Sequence, residues 1–259
     1  MKNLLGSIFA FGIFFFPGIC AEEELSLTVI VGSMIGSAIL SLLFFNWDKI
    51  FPKENHSIKS STYKNYSKFG TILFIDVETT GLPTNWKASY KLESNWPRIV
   101  QIAWKIAAKG NQATSVKSYI IKPEGYTIPI ESTKIHKISN EKALQNGVSI
   151  YDVLNNLYVD LLTVDTIVAH NLDFDLNVVA CEFHRKSIEP ILLNKIGICT
   201  MKKSTNFCKL PGRYGYKWPT LEELNTKLFG SRLYESHNAI QDVIALEKIF
   251  WGLANKNII

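Results

Sequence analysis

Phe74-Ile75-Asp76-Val77-Glu78-Thr79-Thr80-Gly81-Leu82 closes a short, β-branched apolar run that begins at Thr71. Such a run predicts a buried strand over residues 71–77. Asp76 and Glu78 stand two residues apart at its end, and side chains at i and i+2 of a strand share one face. Two carboxylates on one face repel, which raises the pKa of one of them. A hard divalent cation removes that repulsion, because such ions take carboxylate oxygens as ligands. Thr79-Thr80-Gly81 then makes a turn at which backbone can approach a ligand. An ordinary strand end entering a polar loop has the same composition, so the carboxylate pair gains meaning only from partners elsewhere in the chain.

Two further segments supply candidates. Val168-Ala169-His170-Asn171-Leu172-Asp173-Phe174-Asp175 reads as a buried strand ending at His170, followed by a helix that opens with acids. Acids in a first turn also suit the helix dipole. Asp173 and Asp175 cannot both point the same way on a helix, so one is a ligand and the other a solvated or capping residue. His237-Asn238-Ala239-Ile240-Gln241-Asp242 opens the last helix. His237 and Asp242 are offset by just over a turn and can border one site, and Ala239 leaves room for close packing.

Around these segments the chain reads as one α/β domain from residue 71 onward. Strands are predicted over 98–107 and 115–121, joined by a turn around Gly110-Asn111, with further strands over 166–169 and 192–198. Helices are predicted over 149–162, 172–184, 220–228 and 238–253, the third with Thr220 as N-cap and Glu223 completing a capping box. Three strands in hairpin order followed by strand–helix units imply a mixed sheet flanked by helices.

The N-terminal part is different. Residues 3–21 and 25–47 carry no charge, and Glu22, Glu23 and Glu24 separate them. The second stretch is long enough to cross a hydrocarbon core, which takes roughly 20 apolar residues as a helix. The first supports two readings, a transmembrane helix paired with the second or a cleaved signal peptide. We expect a membrane anchor over residues 1–51, with hydrophobic segments at about 4–20 and 25–47, then a polar linker over 52–69 and the α/β domain over 70–259. Lys49, Lys53, Lys59, Lys64 and Lys68 follow the second segment, which places the domain in the cytoplasm, at an inner or plasma membrane, by the positive-inside rule. Gly32 and Gly36 form a G-x-x-x-G pair through which another helix can approach closely.

Across the whole chain, 28 basic residues exceed 23 acidic ones, a mild excess that suits an anionic partner. Cys20, Cys181, Cys199 and Cys208 show neither C-x-x-C pairing nor zinc-ligand spacing, which fits a reducing compartment with the last three as buried or incidental thiols.

The three acidic segments, in this order, resemble the three exonuclease motifs of the DEDDh family, and the chain is similar to the epsilon proofreading subunit of bacterial DNA polymerase III. The resemblance covers about residues 70–255 and includes Asn95-Trp96-Pro97-Arg98-Ile99-Val100-Gln101-Ile102-Ala103, Ile121-Lys122-Pro123 and Ile135-His136-Lys137-Ile138-Ser139. Lys137 stands where the family commonly has glycine, which slightly alters that loop. The resemblance implies an RNase H-like fold with a mixed five-stranded sheet. It implies metal-dependent 3′–5′ exonuclease activity that releases nucleoside monophosphates. Asp76, Glu78, Asp175 and Asp242 would hold two divalent cations, Mg²⁺ or Mn²⁺, and His237 would be the general base; the family form H-N-x-x-F-D selects Asp175 over Asp173. Thr79, Thr80 and Leu82 would contact the terminal nucleotide, and His170 has either a supporting or a structural role. Arg98, Arg185 and the Lys202-Lys203 pair are placed to steer phosphate. The expected partner is a single-stranded 3′ end, DNA in preference to RNA. The long tail by which the proofreading subunit holds its polymerase is not evident, and a membrane anchor is unexpected in a replisome component, so a different cellular role is expected. The alternative is a catalytically silent nucleic-acid binder or a membrane scaffold with an exonuclease-like domain.

Overall fold

The computed structural model describes residues 68–107, 116–233 and 238–259. The expected anchor, the linker up to residue 67, the Gly110-Asn111 turn, Cys20, Gly32, Gly36 and His237 lie outside the described residues. Among the described residues no helix is long and apolar enough to cross a membrane.

The domain is built on β1 (Ile72–Thr79), β2 (Ile99–Ala107), β3 (Lys117–Ile120), β4 (Thr166–Ala169) and β5 (Ile196–Cys199). Their order in the sheet is β3-β2-β1-β4-β5. β1–β2 and β2–β3 pair antiparallel, while β1–β4 and β4–β5 pair parallel. β1 is therefore a central strand with the hairpin half on one side and the strand–helix half on the other. This is the expected mixed five-stranded sheet, and its α/β architecture is RNase H-like.

The helices are α1 (Ile130–His136), α2 (Asn140–Asn146), α3 (Ile150–Leu161), α4 (Leu172–Arg185), α5 (Thr200–Cys208), α6 (Leu221–Phe229) and α7 (Ala239–Asn255). A two-residue hairpin, β6 (Pro211–Gly212) and β7 (Gly215–Tyr216), lies between α5 and α6. Alternation along β1 divides the core. Leu73, Ile75 and Val77 pack with Val153, Leu154, Val178 and Phe183 of α3 and α4 on one face. Ile72 and Phe74 pack with Val243, Leu246 and Phe250 of α7 on the other. The Phe74 and Phe250 rings meet edge to face at 5.3 Å, a geometry favoured by the ring quadrupoles.

Local sequence explains the helix ends. The Ser149 hydroxyl accepts from the Tyr151 N–H at the start of α3. Thr220 and Glu223 form the reciprocal capping box expected at the start of α6. Lys137 ends α1 in the left-handed conformation (φ 60°, ψ 23°), and its N–H bonds to the Thr133 carbonyl. A glycine would hold that conformation without the Cβ clash, which costs roughly 1–2 kcal/mol for an L-residue.

Three features depart from expectation. Residues 192–198 do not form one strand. A 3₁₀ turn over Ile191–Asn194, anchored by buried Leu192, precedes the short β5. Gly197 lies so close to Leu172 that a Cβ there would meet the leucine Cδ2 at 2.7 Å. Helices α1, α2 and α5 were not anticipated. The first two span two turns each, too short to show periodicity, and α5 mixes polar Thr200 and Ser204 with Met201 and Cys208 on its buried face.

Arg98 and Arg185 do not face solvent to steer phosphate. Both grip the buried Glu182 carboxylate, Arg98 Nε at 2.7 Å and Arg185 Nη1 at 2.9 Å. Arg98 also stacks on the Tyr126 ring, and Arg185 donates to the Glu93 and Trp96 carbonyls at 2.7 Å. Glu182 further accepts the Ile99 N–H. The cluster fastens α4 to the start of β2 and to the loop before it. Substituting Glu182→Gln leaves two partly desolvated guanidinium groups without their anion. It should lower unfolding free energy by about 3 kcal/mol, read from chemical denaturation, whereas Lys203→Gln on the exposed face of α5 should change it by less than about 0.5 kcal/mol.

Candidate active site

Asp76 and Glu78 continue the Ile72–Phe74 row, so they face α7. Asp242 lies in the first turn of α7 on its sheet-facing stripe, with Ala239, Val243 and Leu246. The helix can lie that close because Ala239, fully buried, contributes only a methyl group. One carboxylate oxygen from each of Asp76, Glu78 and Asp242 lies within 4.8 Å of the others. Two strand residues and one helix residue, separated by over 160 positions in sequence, thus form one acidic cluster.

Asp175 approaches from the strand–helix half. The β1–β4 ladder covers residues 72–74 only, which opens the sheet beyond Phe74 on that side. The backbone N–H groups of Asp175 and Val77 favour the ionised form of the Asp175 carboxyl there. Asp175 is buried, while Asp173 is exposed and pairs with Lys202 at the start of α5. The two roles left open for these acids in the sequence are divided in this way, and Lys202 is taken up by an ion pair.

The electrostatics follow from this packing. Burial, and then the charges of Asp175, Asp242 and Glu78, hold Asp76 well above the usual carboxylate range. Burial, and then the Asp242 charge, push Glu78 up to about 7. Asp175 is also raised, chiefly by burial, although its backbone hydrogen bonds oppose the shift. Among the described residues, none of Asp76, Glu78 or Asp175 is in an ion pair with Lys or Arg. The all-oxygen donor set fits a hard divalent cation, which would supply the missing positive charge.

The surrounding residues are held locally. The Thr79 hydroxyl donates to the Gly81 carbonyl at 2.7 Å, and the Thr80 hydroxyl accepts the Arg98 N–H at 3.0 Å. Both side chains shape the turn after β1. Leu82, beyond that turn, is 71% exposed and belongs to no core. His170 Nε2 donates to the Pro219 carbonyl, and Nδ1 accepts from the Thr200 hydroxyl, each at 3.0 Å. Burial lowers its pKa to about 4, with the Pro219 carbonyl opposing, so the ring is neutral and acts as a strut. Gln101 was not singled out as a site residue. It stands opposite Glu78 in the ladder, and its side chain accepts the Ala239 N–H at the start of α7. Only the cross-strand register reveals that link.

Comparison with known proteins places this geometry in context. The family model RNase_T, described as exonuclease, matches residues 73–250. The chain is 26% identical over 219 residues to Exonuclease DPD1, chloroplastic/mitochondrial, of Arabidopsis thaliana, across 79% of this chain and 63% of that protein. Its fold is similar to that of E. coli exonuclease I in complex with a dA16 oligonucleotide, with a TM-score of 0.58 and 20% identity over 73% of this chain and 42% of the other. The zinc-bound complex of exonuclease I with single-stranded DNA gives a TM-score of 0.58 at 19% identity, over 72% and 41% of the two chains. At that identity the likeness is one of fold. The chain spans less than two thirds of the length of either relative.

A carboxyl whose pKa is raised on folding binds more protons in the folded state than in the unfolded one between about pH 4 and 8, the upper limit set by Asp175 at about 8 and Glu78 following at about 7. Stability from this cluster is therefore present at low pH and lost as pH rises through that window. With EDTA present, Asp76→Asn should raise the unfolding midpoint of the full-length chain at pH 8 and have little effect at pH 4. Millimolar Mn²⁺ should raise the wild-type midpoint at pH 8 and fail to raise that of the variant. A wild-type midpoint indifferent to Mn²⁺ would contradict this reading of the cluster.

Proposed function

The chain belongs to the RNase_T exonuclease family, matched over residues 73–250, and we propose that it is a DEDDh-type 3′–5′ exonuclease that shortens single-stranded nucleic acid one nucleotide at a time. The observation that carries this reading is the convergence of Asp76, Glu78 and Asp242 within 4.8 Å, with Asp175 raising the pKa of Asp76 from the side of α4. The resemblance to the epsilon proofreading subunit supports the same assignment through the order of its motifs.

Asp76, Glu78, Asp175 and Asp242 would hold two divalent cations, Mg²⁺ or Mn²⁺, which when bound supply Lewis-acid stabilisation of the charge developing on the phosphate and leaving oxygen. The protein's own groups do the rest. His237, five residues before Asp242, accepts a proton from the attacking water; an ordinary imidazole pKa of about 6.5 suits that role near neutral pH. The water oxygen forms a new bond to phosphorus, the bond from phosphorus to the 3′ oxygen of the preceding nucleotide breaks, and a nucleoside 5′-monophosphate leaves. The turn shaped by Thr79 and Thr80 borders the terminal sugar and phosphate, and exposed Leu82 packs on the terminal base.

Single-stranded DNA is the proposed substrate in preference to RNA. Support comes from E. coli exonuclease I, which has a similar fold and is seen with DNA oligonucleotides. We further propose that residues 1–51 anchor the chain in an inner or plasma membrane, with the domain on the cytoplasmic side. The uncharged stretches 3–21 and 25–47 and the lysines after them support this, and Gly32 and Gly36 supply a face for helix pairing.

With Mn²⁺ or Mg²⁺, the full-length chain should release mononucleotides from a 3′-labelled DNA strand faster than from matched RNA. Asp76→Asn should abolish release, and His237→Ala should slow it by about 10²- to 10⁴-fold. Full activity in either variant would overturn the assignment.

A further inference from the structure

The hairpin between α5 and α6 has no part in the site described so far. Its strands are two residues each, too short to have a core of their own. Yet its rings are exposed: Tyr214 at 90%, Trp218 at 60% and Tyr216 at 50%. Together with residues 212–218 they line an open cavity of about 350 Å³. The Arg213 guanidinium lies 5.1 Å from the centre of the Tyr214 ring. Three exposed aromatic residues interleaved with cations make a surface for flat, anionic polymers, because every base offers a face to stack and every linkage a charge.

Two further observations point to the same occupant. Between Glu189 and Glu222 the chain has no acidic residue and six cations; Lys202 and Lys217 pair with Asp173 and Glu223, and Lys195, Lys203, Lys209 and Arg213 are in no ion pair among the described residues. That segment alone exceeds the net charge of the whole chain, +5. The base of the hairpin is also fixed relative to the carboxylates. The Pro219 carbonyl accepts from His170 Nε2, and His170 directly follows β4. β4 runs parallel to β1 with Val168 opposite Phe74, so His170 emerges at the end of the sheet that carries Asp76 and Glu78. The neutral His170 ring thus ties an aromatic and basic arm to the catalytic end of the sheet.

We propose that this hairpin is a stacking platform for the single strand on the 5′ side of the scissile bond. Tyr214 and Trp218 take bases, and Arg213 and Lys209 take backbone phosphates. The proposal rests on the exonuclease reading for the strand's polarity, but its binding surface stands apart from the carboxylates. It gives the protein a grip on long strands that a dinucleotide lacks.

The test uses the full-length chain in mild detergent. Binding of 5′-fluorescein-labelled dT12 is followed by anisotropy in EDTA, and hydrolysis of the dinucleotide dTpdT is followed separately with Mn²⁺. Tyr214→Ala and Trp218→Ala should each weaken dT12 binding about five- to hundredfold, while Tyr214→Phe keeps it and dTpdT hydrolysis is unchanged in all three. Wild-type affinity for dT12 in both alanine variants would overturn the proposal. So would an equal loss in dTpdT hydrolysis, which would make the hairpin part of the reaction site. Loss of binding to anionic phosphatidylserine vesicles with dT12 affinity intact would assign the rings to a membrane surface and overturn it too. If the wild-type chain hydrolyses neither substrate, the nuclease reading fails, and the dT12 arm in EDTA still decides the hairpin.

Discussion

Carboxylates brought together at the open end of a sheet repel one another, and the packing around them removes the water that would otherwise screen that repulsion. Asp76, Glu78 and Asp175 all bind protons more tightly than ordinary side chains, chiefly because burial disfavours the charged form and then because neighbouring charges repel it. An apolar side chain at any of these positions would be easier to bury. The arrangement makes physical sense as a site for cations, with the cost of assembling the charges offset when a divalent ion joins them. The geometry of the fold serves that one requirement.

The supporting parts act at a distance from the chemistry. β1 presents alternate residues to two cores, which fixes the face on which Asp76 and Glu78 emerge. α7 delivers Asp242 because a small residue lets it lie against the sheet and because Gln101 accepts a hydrogen bond at its first turn. α4 delivers Asp175 on the side of β1 where the ladder with β4 ends at Phe74, near enough for its charge to act on Asp76. Glu182, gripped by Arg98 and Arg185, holds α4 against the start of β2. These contacts are buried and specific, and each joins segments far apart in the chain.

Much of this was legible in the residues themselves. The apolar run of β1, the periodicity of α3 and the capping box of α6 rest on local rules that act within one turn or one strand, and they emerge as expected. The acidic segments could be recognised because each combines an element end with a carboxylate. Other features depend on contacts that no local pattern carries. Arg98 and Arg185 look like surface cations until Glu182 is found between them. Gln101 reaches α7 only through its register opposite Glu78. Helix α5 shows a weak apolar pattern because two of its four buried positions, Thr200 and Ser204, are polar, and Thr200 bonds to His170. The link from His170 to Pro219 spans 49 positions and shows only in three dimensions.

Anomalous scattering from a crystal of the protein soaked in Mn²⁺ tests the central claim most directly. The account predicts manganese peaks bounded by the carboxylates of Asp76, Glu78, Asp175 and Asp242. Saturating Mn²⁺ with no peak among those four groups, or with its strongest peak elsewhere on the domain, would contradict it.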